Sequence, residues 1–310
     1  METLNIMNYL LNDGYELPAI AFGPCAVGYS PKPKHISEEG LSYLCNKVYN
    51  KLYGRHKLYR NYVDSVANAF KIGFRFIDYS SAYGNGELIL KAMNKAGLQR
   101  KDVFITSRVS NKAQFNSEVR NEFFKMLENF NTNYVDLLQF HWPVTDCYLN
   151  TWHEIVSLKK EGYVKSVGVA NCHQQHIDAL INAEGVVPAV NQIEVQPLFT
   201  NKELIAYCQK KGILVEAYSP LARFDDRIFR LPALNKIAKK YNKSIAQVIL
   251  RWDIQNGLLP VVRSFNKSHQ NELIEIFDFE LTSEELSQID AININSRVRY
   301  NPDNCDFSIL

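Results

Sequence analysis

Eight short apolar runs rich in β-branched residues alternate with eight stretches whose apolar positions recur every three or four residues. The runs are 18–22, 74–77, 103–106, 135–140, 165–169, 188–193, 213–217 and 259–262. Helical patterns occupy 61–72, 86–97, 115–129, 149–161, 173–183, 202–211, 244–255 and 268–276. In the fourth of these, Leu149, Trp152, Ile155 and Val156 make one apolar face, and Lys160 and Glu161 fall outside it. Continuous apolar runs separated by helices predict a parallel sheet covered on both faces. Eight such pairs with no break in composition predict an α/β fold, a closed (β/α)8 TIM barrel forming one domain over residues 1–310. An open doubly wound sheet would carry a glycine fingerprint after its first strand, and GPCAVG at 23–28 lacks the GxGxxG spacing.

Three additions decorate the repeat. Residues 6–17, with Asn12-Asp13-Gly14 between apolar flanks, predict an N-terminal β-hairpin placed to plug the bottom of the barrel. Residues 222–241 insert a loop and an extra helix, Leu231 to Tyr241, after the seventh strand. Residues 29–58 form an insertion after the first barrel strand, opened by Pro31-Lys32-Pro33 and followed by Leu41, Leu44, Val48 and Leu52 at helical spacing. It reads either as a surface excursion or as a wall of the cleft built with Tyr43, Tyr49 or Tyr53.

Composition narrows the function classes. A net charge of +2 gives no argument for nucleic acid or a membrane surface as partner. The six cysteines, at 25, 45, 147, 172, 208 and 305, show neither paired nor ligand-like spacing, which suits free thiols in a reducing compartment. Cys172, His173 and His176 lack a fourth ligand, so no metal is expected. METLNIMNYLLNDG does not read as an export signal, and no apolar run reaches the ~18 residues of a membrane span. The expectation is a cytoplasmic protein.

The chemistry lies at the strand ends, where a barrel gathers its functional loops. Asp78 follows the second strand, Arg108 the third, His141 the fourth and Asn171 the fifth, while Gln192 lies on the sixth and Tyr218 follows the seventh. Tyr83 comes five residues after Asp78, ahead of a Gly-Asn-Gly turn. A phenol is a poor acid near neutrality, with a pKa of roughly 10. A cation beside it favours phenolate, and a carboxylate can hold that cation in place. Arg263, Ser264, Phe265 and Asn266 end the eighth strand and lead into a helix, so guanidinium, hydroxyl and helix amides form an anion site.

These segments are those of a known family. GFRFIDYSSAYGNGE, DVFITSR, VDLLQFHWP, VKSVGVANC, VPAVNQIEVQP, VEAYSPLA, VVRSFNK and IFDFELT occur in order, and from Leu11 to about Phe307 the chain resembles an aldo-keto reductase. The resemblance implies reduction of an aldehyde or ketone by hydride transfer from a nicotinamide cofactor, in a monomeric barrel. It implies Tyr83 as proton donor, Asp78 as its charge partner (also lining the cofactor), and His141 with Trp142 against the substrate. Asn171 and Gln192 would hold the carboxamide and Tyr218 would stack on the nicotinamide, with Ser219 and Leu221 beyond it and Gly23, Pro24 and Cys25 along the cofactor. Arg263, Ser264, Phe265 and Asn266 would take the 2′-phosphate, favouring NADPH with NAD possible, and Glu272 would face the adenine amine.

Four positions depart from the family. Arg108 stands where it has lysine, Ala170 where serine is common, His269 in place of a usual arginine and Leu273 in place of a usual asparagine. A guanidinium prefers a bidentate carboxylate, so Arg108 can lock onto Asp78 and keep its charge from Tyr83. The alternative reading is therefore a catalytically weak NADP(H)-binding sensor or partner-docking protein. The ending NPDNCDFSIL is short, which predicts a cleft open on that side and walled by 29–58 or 222–231.

Overall fold

The computed structural model describes residues 6–27 and 55–309, so nearly all of the 29–58 insertion, including Tyr43, Tyr49 and Tyr53, lies outside the described residues. Strands β1 (Asn8–Leu10) and β2 (Glu16–Pro18) pair antiparallel, and Gly14 takes a φ of 88° in the turn between them. Leu11 and Leu17 then pack with Ala21, Phe76, Leu137, Val190 and Leu259 in one apolar cluster. Phe76 and Val190 are the first residues of their strands, so the hairpin closes the end at which the strands begin.

The barrel strands are β3 (Ala21–Phe22), β4 (Phe76–Asp78), β5 (Phe104–Val109), β6 (Val135–Phe140), β7 (Val164–Val167), β8 (Val169–Ala170), β9 (Val190–Glu194), β10 (Leu214–Tyr218) and β11 (Leu258–Val262). They lie in the order β7-β6-β5-β4-β3-β11-β10-β9-β8, and every pairing is parallel. β7 and β8 are two halves of one run, 164–170, parted only by Gly168. The first half pairs with β6 and the second with β9. The Gly168 amide donates to the Leu138 carbonyl at 2.9 Å, and the Ala189 amide to that of Val167 at 2.8 Å. Eight strands thus close into a ring through Gly168. A Cβ at that position would lie 2.9 Å from the Val190 carbonyl oxygen, too close for any other residue without a shift.

Helices α1 (Arg55–Lys71), α2 (Gly86–Lys95), α3 (Asn111–Phe115), α4 (Val119–Phe130), α5 (Tyr148–Lys160), α6 (Gln174–Glu184) and α7 (Lys202–Lys210) follow the strands, with α8 (Asp226–Phe229), α9 (Pro232–Tyr241), α10 (Ile245–Gln255), α11 (Lys267–Ile274) and α12 (Ser283–Asp290) later in the chain. The pattern at 115–129 divides, because Ser117 adopts a φ of 57° and a separate turn of helix, capped by Ser110, precedes it. Helix α12 is an addition that the periodicity did not indicate; Thr282 and Glu285 form its capping box. No helix among the described residues is long and apolar enough to cross a membrane.

The ending lies along the end at which the strands finish, on the side expected to be open. After α12 the amides of Ile294 and Ser296 donate to the Leu198 carbonyl at 3.2 and 2.9 Å. The amides of Val298 and Arg299 both donate to the buried Glu194 carboxylate at the end of β9, at 2.7 and 2.9 Å. Asp303 reaches His173 at 2.7 Å, and Asn111 donates to the Phe307 carbonyl at 3.2 Å. The tail is strapped across the end at which the strands finish. Backbone groups make most of these attachments, which is why side-chain patterning gave no sign of them.

Candidate active site

Asp78 is the last residue of β4, and Arg108 lies in β5 two residues past Thr106, the partner of Asp78 in register. Tyr83 ends a 3-10 turn (Ser81–Tyr83) stopped by Gly84 at a φ of 59°. His141 directly follows β6, its amide held by the Val109 carbonyl at 3.0 Å. Arg108 donates from Nη1 to Asp78 Oδ1 and from Nη2 to Asp78 Oδ2 at 2.9 Å, a two-armed pair with both residues buried. The same Nη2 lies 3.4 Å from the Tyr83 hydroxyl. The guanidinium therefore does both things weighed from the sequence: it locks onto Asp78 and still touches the phenol.

Burial and charge set the protonation states. Tyr83 is pushed up to about 12, chiefly by burial, with Arg108 pulling the other way. His141 is pushed down to about 3 by burial and then by the positive charges of Arg108 and Arg299, so it is a neutral imidazole. Burial opposes the charge on Arg108, but Asp78 and Tyr83 outweigh it and drive its pKa upward.

Gln192 on β9 does not point idly at the cleft. Its Oε1 accepts from Arg108 Nη1 at 3.0 Å, and its Nε2 donates to Asp78 Oδ1 at 2.9 Å and to Glu216 Oε2 at 2.8 Å. Gln139 adds a 3.3 Å bond to the same Glu216 oxygen. Glu216 and Gln139 are functional candidates that sequence reasoning passed over. The signal was a carboxylate inside the otherwise apolar run ILVEA.

Asn171, at a φ of 58°, donates to the His141 carbonyl at 2.8 Å and accepts from the Tyr218 hydroxyl at 2.8 Å. Ala170, just before it, offers only backbone. Gly23 and Pro24 are buried after β3, and a Cβ on Gly23 would come 3.2 Å from Asp78 Oδ2. The Cys25 carbonyl accepts from Tyr62 at 3.1 Å and from Asn85 at 2.6 Å. Ser219 has a φ of 51° and Leu221 is buried. At the far end, Arg263 and Ser264 precede α11, Asn266 caps that helix by accepting from the Ser268 amide at 2.9 Å, and Phe265 packs 5.8 Å from Tyr62. His269 is exposed and Glu272 half-buried on α11. Trp142 is 1% exposed, lying 6.3 Å from Phe307 and packed with Val144, so the tail covers it.

The donor set suits a dinucleotide phosphate. The Asn171 amide and the Tyr218 ring match a nicotinamide carboxamide and its face, and a guanidinium, a hydroxyl and a helix N-terminus match a phosphate.

Residues 58–294 match the Aldo/keto reductase family. The chain is 40% identical over 240 residues to the glyoxal reductase of Bacillus subtilis, covering 77% of this chain and 86% of that protein. It is 36% identical over 241 residues to the methylglyoxal reductase DkgA of Yersinia pestis, covering 77% of this chain and 86% of the relative. Among solved structures, the Bombyx mori aldo-keto reductase in complex with NADP superposes with a TM-score of 0.80 at 28% identity, covering 97% of each chain.

Proposed function

Since the chain belongs to the aldo/keto reductase family, we propose that it reduces a small aldehyde or ketone to the alcohol with NADPH, Tyr83 giving the proton. One observation carries this reading: a single Arg108 nitrogen stands 2.9 Å from Asp78 and 3.4 Å from the Tyr83 hydroxyl. Bound NADPH would supply the hydride. As negative charge gathers on the substrate oxygen, Tyr83 hands over its proton, and Arg108 steadies the phenolate left behind. A phenol pushed up to about 12 holds that proton at every working pH and releases it only to a base as strong as a forming alkoxide. His141, neutral and fixed through the backbone bonds at its own amide and carbonyl, orients the carbonyl.

Asn171 and Tyr218 would hold the nicotinamide end, Gln192 being taken up by Asp78, Glu216 and Arg108, and Arg263, Ser264 and Asn266 would hold the 2′-phosphate, which favours NADPH over NADH. Two bacterial relatives are named for glyoxal and methylglyoxal, which supports a small carbonyl compound as the substrate. The working unit we propose is a monomer, and the free cysteines among the described residues support a reducing compartment such as the cytoplasm.

A second reading, a cofactor-binding protein of weak activity, draws on the commitment of both Arg108 terminal nitrogens to Asp78. Single-turnover oxidation of bound NADPH by methylglyoxal decides between them. Prompt oxidation, slowed about 10²- to 10⁴-fold in Tyr83→Phe with cofactor affinity kept, is the expected result. NADPH that binds and stays reduced over minutes would give the second reading the site.

A further inference from the structure

One carboxyl group in the barrel takes no part in the chemistry described so far. Glu216, in the middle of β10, is 0% exposed. Its Oε2 accepts from Gln192 at 2.8 Å and Gln139 at 3.3 Å, and its Oε1 has no partner among the described residues. The charged groups acting on it are Asp78 of β4 and Arg108 of β5. β6 and β9 contribute the uncharged amides of Gln139 and Gln192, and β11 sets Leu259 beside it in register.

The cluster holds one cation and two carboxyl groups, joined by a single amide. Both protons of the Gln192 amide are spent on carboxyl oxygens, and its oxygen accepts from Arg108. Gln192 is thus a rigid link from Glu216 to the guanidinium. With Glu216 neutral, Asp78 alone balances Arg108. With Glu216 ionised, a second anion draws on the same cation from the barrel interior. The contact most open to loss is the longest one, the 3.4 Å approach to Tyr83.

We propose that Glu216 is a positioning residue that, through Gln192, sets how Arg108 divides its charge between Asp78 and Tyr83. The proposal rests on the reductase reading of the site for its effect on rate, but not for its effect on the guanidinium. Burial, followed by the charge of Asp78, pushes Glu216 up to about 7, whereas Tyr83 and His141 lie near 12 and 3. Of these three groups, Glu216 is the one that changes charge at working pH. Ionisation of Glu216 would disfavour phenolate and weaken proton donation.

The experiment compares the full-length protein with Glu216→Gln, which keeps the shape and removes the charge. With methylglyoxal and saturating NADPH, wild-type kcat is expected to fall about three- to tenfold as pH rises through 7, and that of Glu216→Gln to stay nearly level. The same inflection in both proteins would overturn the proposal. The second readout needs no turnover. The proton–nitrogen NMR signal of Arg108 Nε–H, assigned by its loss in Arg108→Lys, should move through the same pH range in wild type and stay fixed in Glu216→Gln. A wild-type signal indifferent to pH there would also overturn the proposal, whether or not the variant folds. If NADPH binds but is not oxidised at any pH, the reductase reading fails by itself, and the Arg108 signal still decides the role of Glu216.

Discussion

Arg108 grips Asp78 with both of its terminal nitrogens, and only one of the two also meets the Tyr83 hydroxyl. The guanidinium spreads its charge over three partners, because Gln192 takes a further bond from Nη1. An ammonium group would place the same charge at one point between Asp78 and Tyr83. Arg108→Lys is therefore expected to raise kcat with methylglyoxal by about tenfold, equivalent to ~1.4 kcal/mol at the transition state, without changing NADPH affinity. Steady-state kinetics with fluorescence titration of NADPH measures both. Equal or lower turnover would mean that the guanidinium fork is an adapted part of the site.

His141 should remain uncharged across the working range, since burial and the nearby arginines hold its pKa near 3. The sign is plain: each positive neighbour disfavours imidazolium, so the pH must fall well below neutrality before the ring takes a second proton. The ring signals of His141, identified by their loss in His141→Gln, are expected not to titrate between about pH 5 and 8. A midpoint within that window would show that the ring is charged for part of the reaction.

Gly168→Ala tests the closure of the barrel. The added methyl meets a backbone carbonyl at 2.9 Å, which cannot swing aside as a side chain would. Overpacking of this kind costs about 1–3 kcal/mol. The urea midpoint should fall accordingly, with the loss shown first in the pairing of β7 and β8 to their neighbours by hydrogen exchange. An unchanged midpoint would mean that the ring has slack at this seam.

Phe307→Ala tests the tail. The three tryptophans, Trp142, Trp152 and Trp252, are 1%, 0% and 2% exposed, so acrylamide should quench the native protein weakly. Removing the Phe307 ring uncovers Trp142 alone. Quenching should rise, while the Asn111 bond, made to the Phe307 backbone, persists. No increase in quenching would show that another segment covers Trp142.

Periodicity made the barrel legible, since the eight apolar runs and their helices keep their order in the structure. The run at 165–169 was read as one strand, and it acts as one around the ring, although Gly168 divides its ladder. The meeting of Asp78, Tyr83 and Arg108 was legible because Asp78 ends a strand, Arg108 lies near the end of the next, and Tyr83 is on the turn that follows Asp78. The inner network was not. Whether Glu216 faces Gln192 or the helices depends on the stagger of neighbouring strands, which a single run of residues does not contain. Nor was the tail, because Glu194 recognises the amides of residues 298 and 299 without regard to their side chains.

That manner of attachment has an engineering consequence. Since the strap is tied to Glu194 by the main-chain amides of residues 298 and 299, exchange of those two side chains leaves that anchor in place. Asp303 and Phe307, by contrast, hold it through their own side chains. New endings that keep those two anchors can therefore be grafted onto an untouched barrel, retuning which small molecules gain admission and leaving the machinery beneath them as it was.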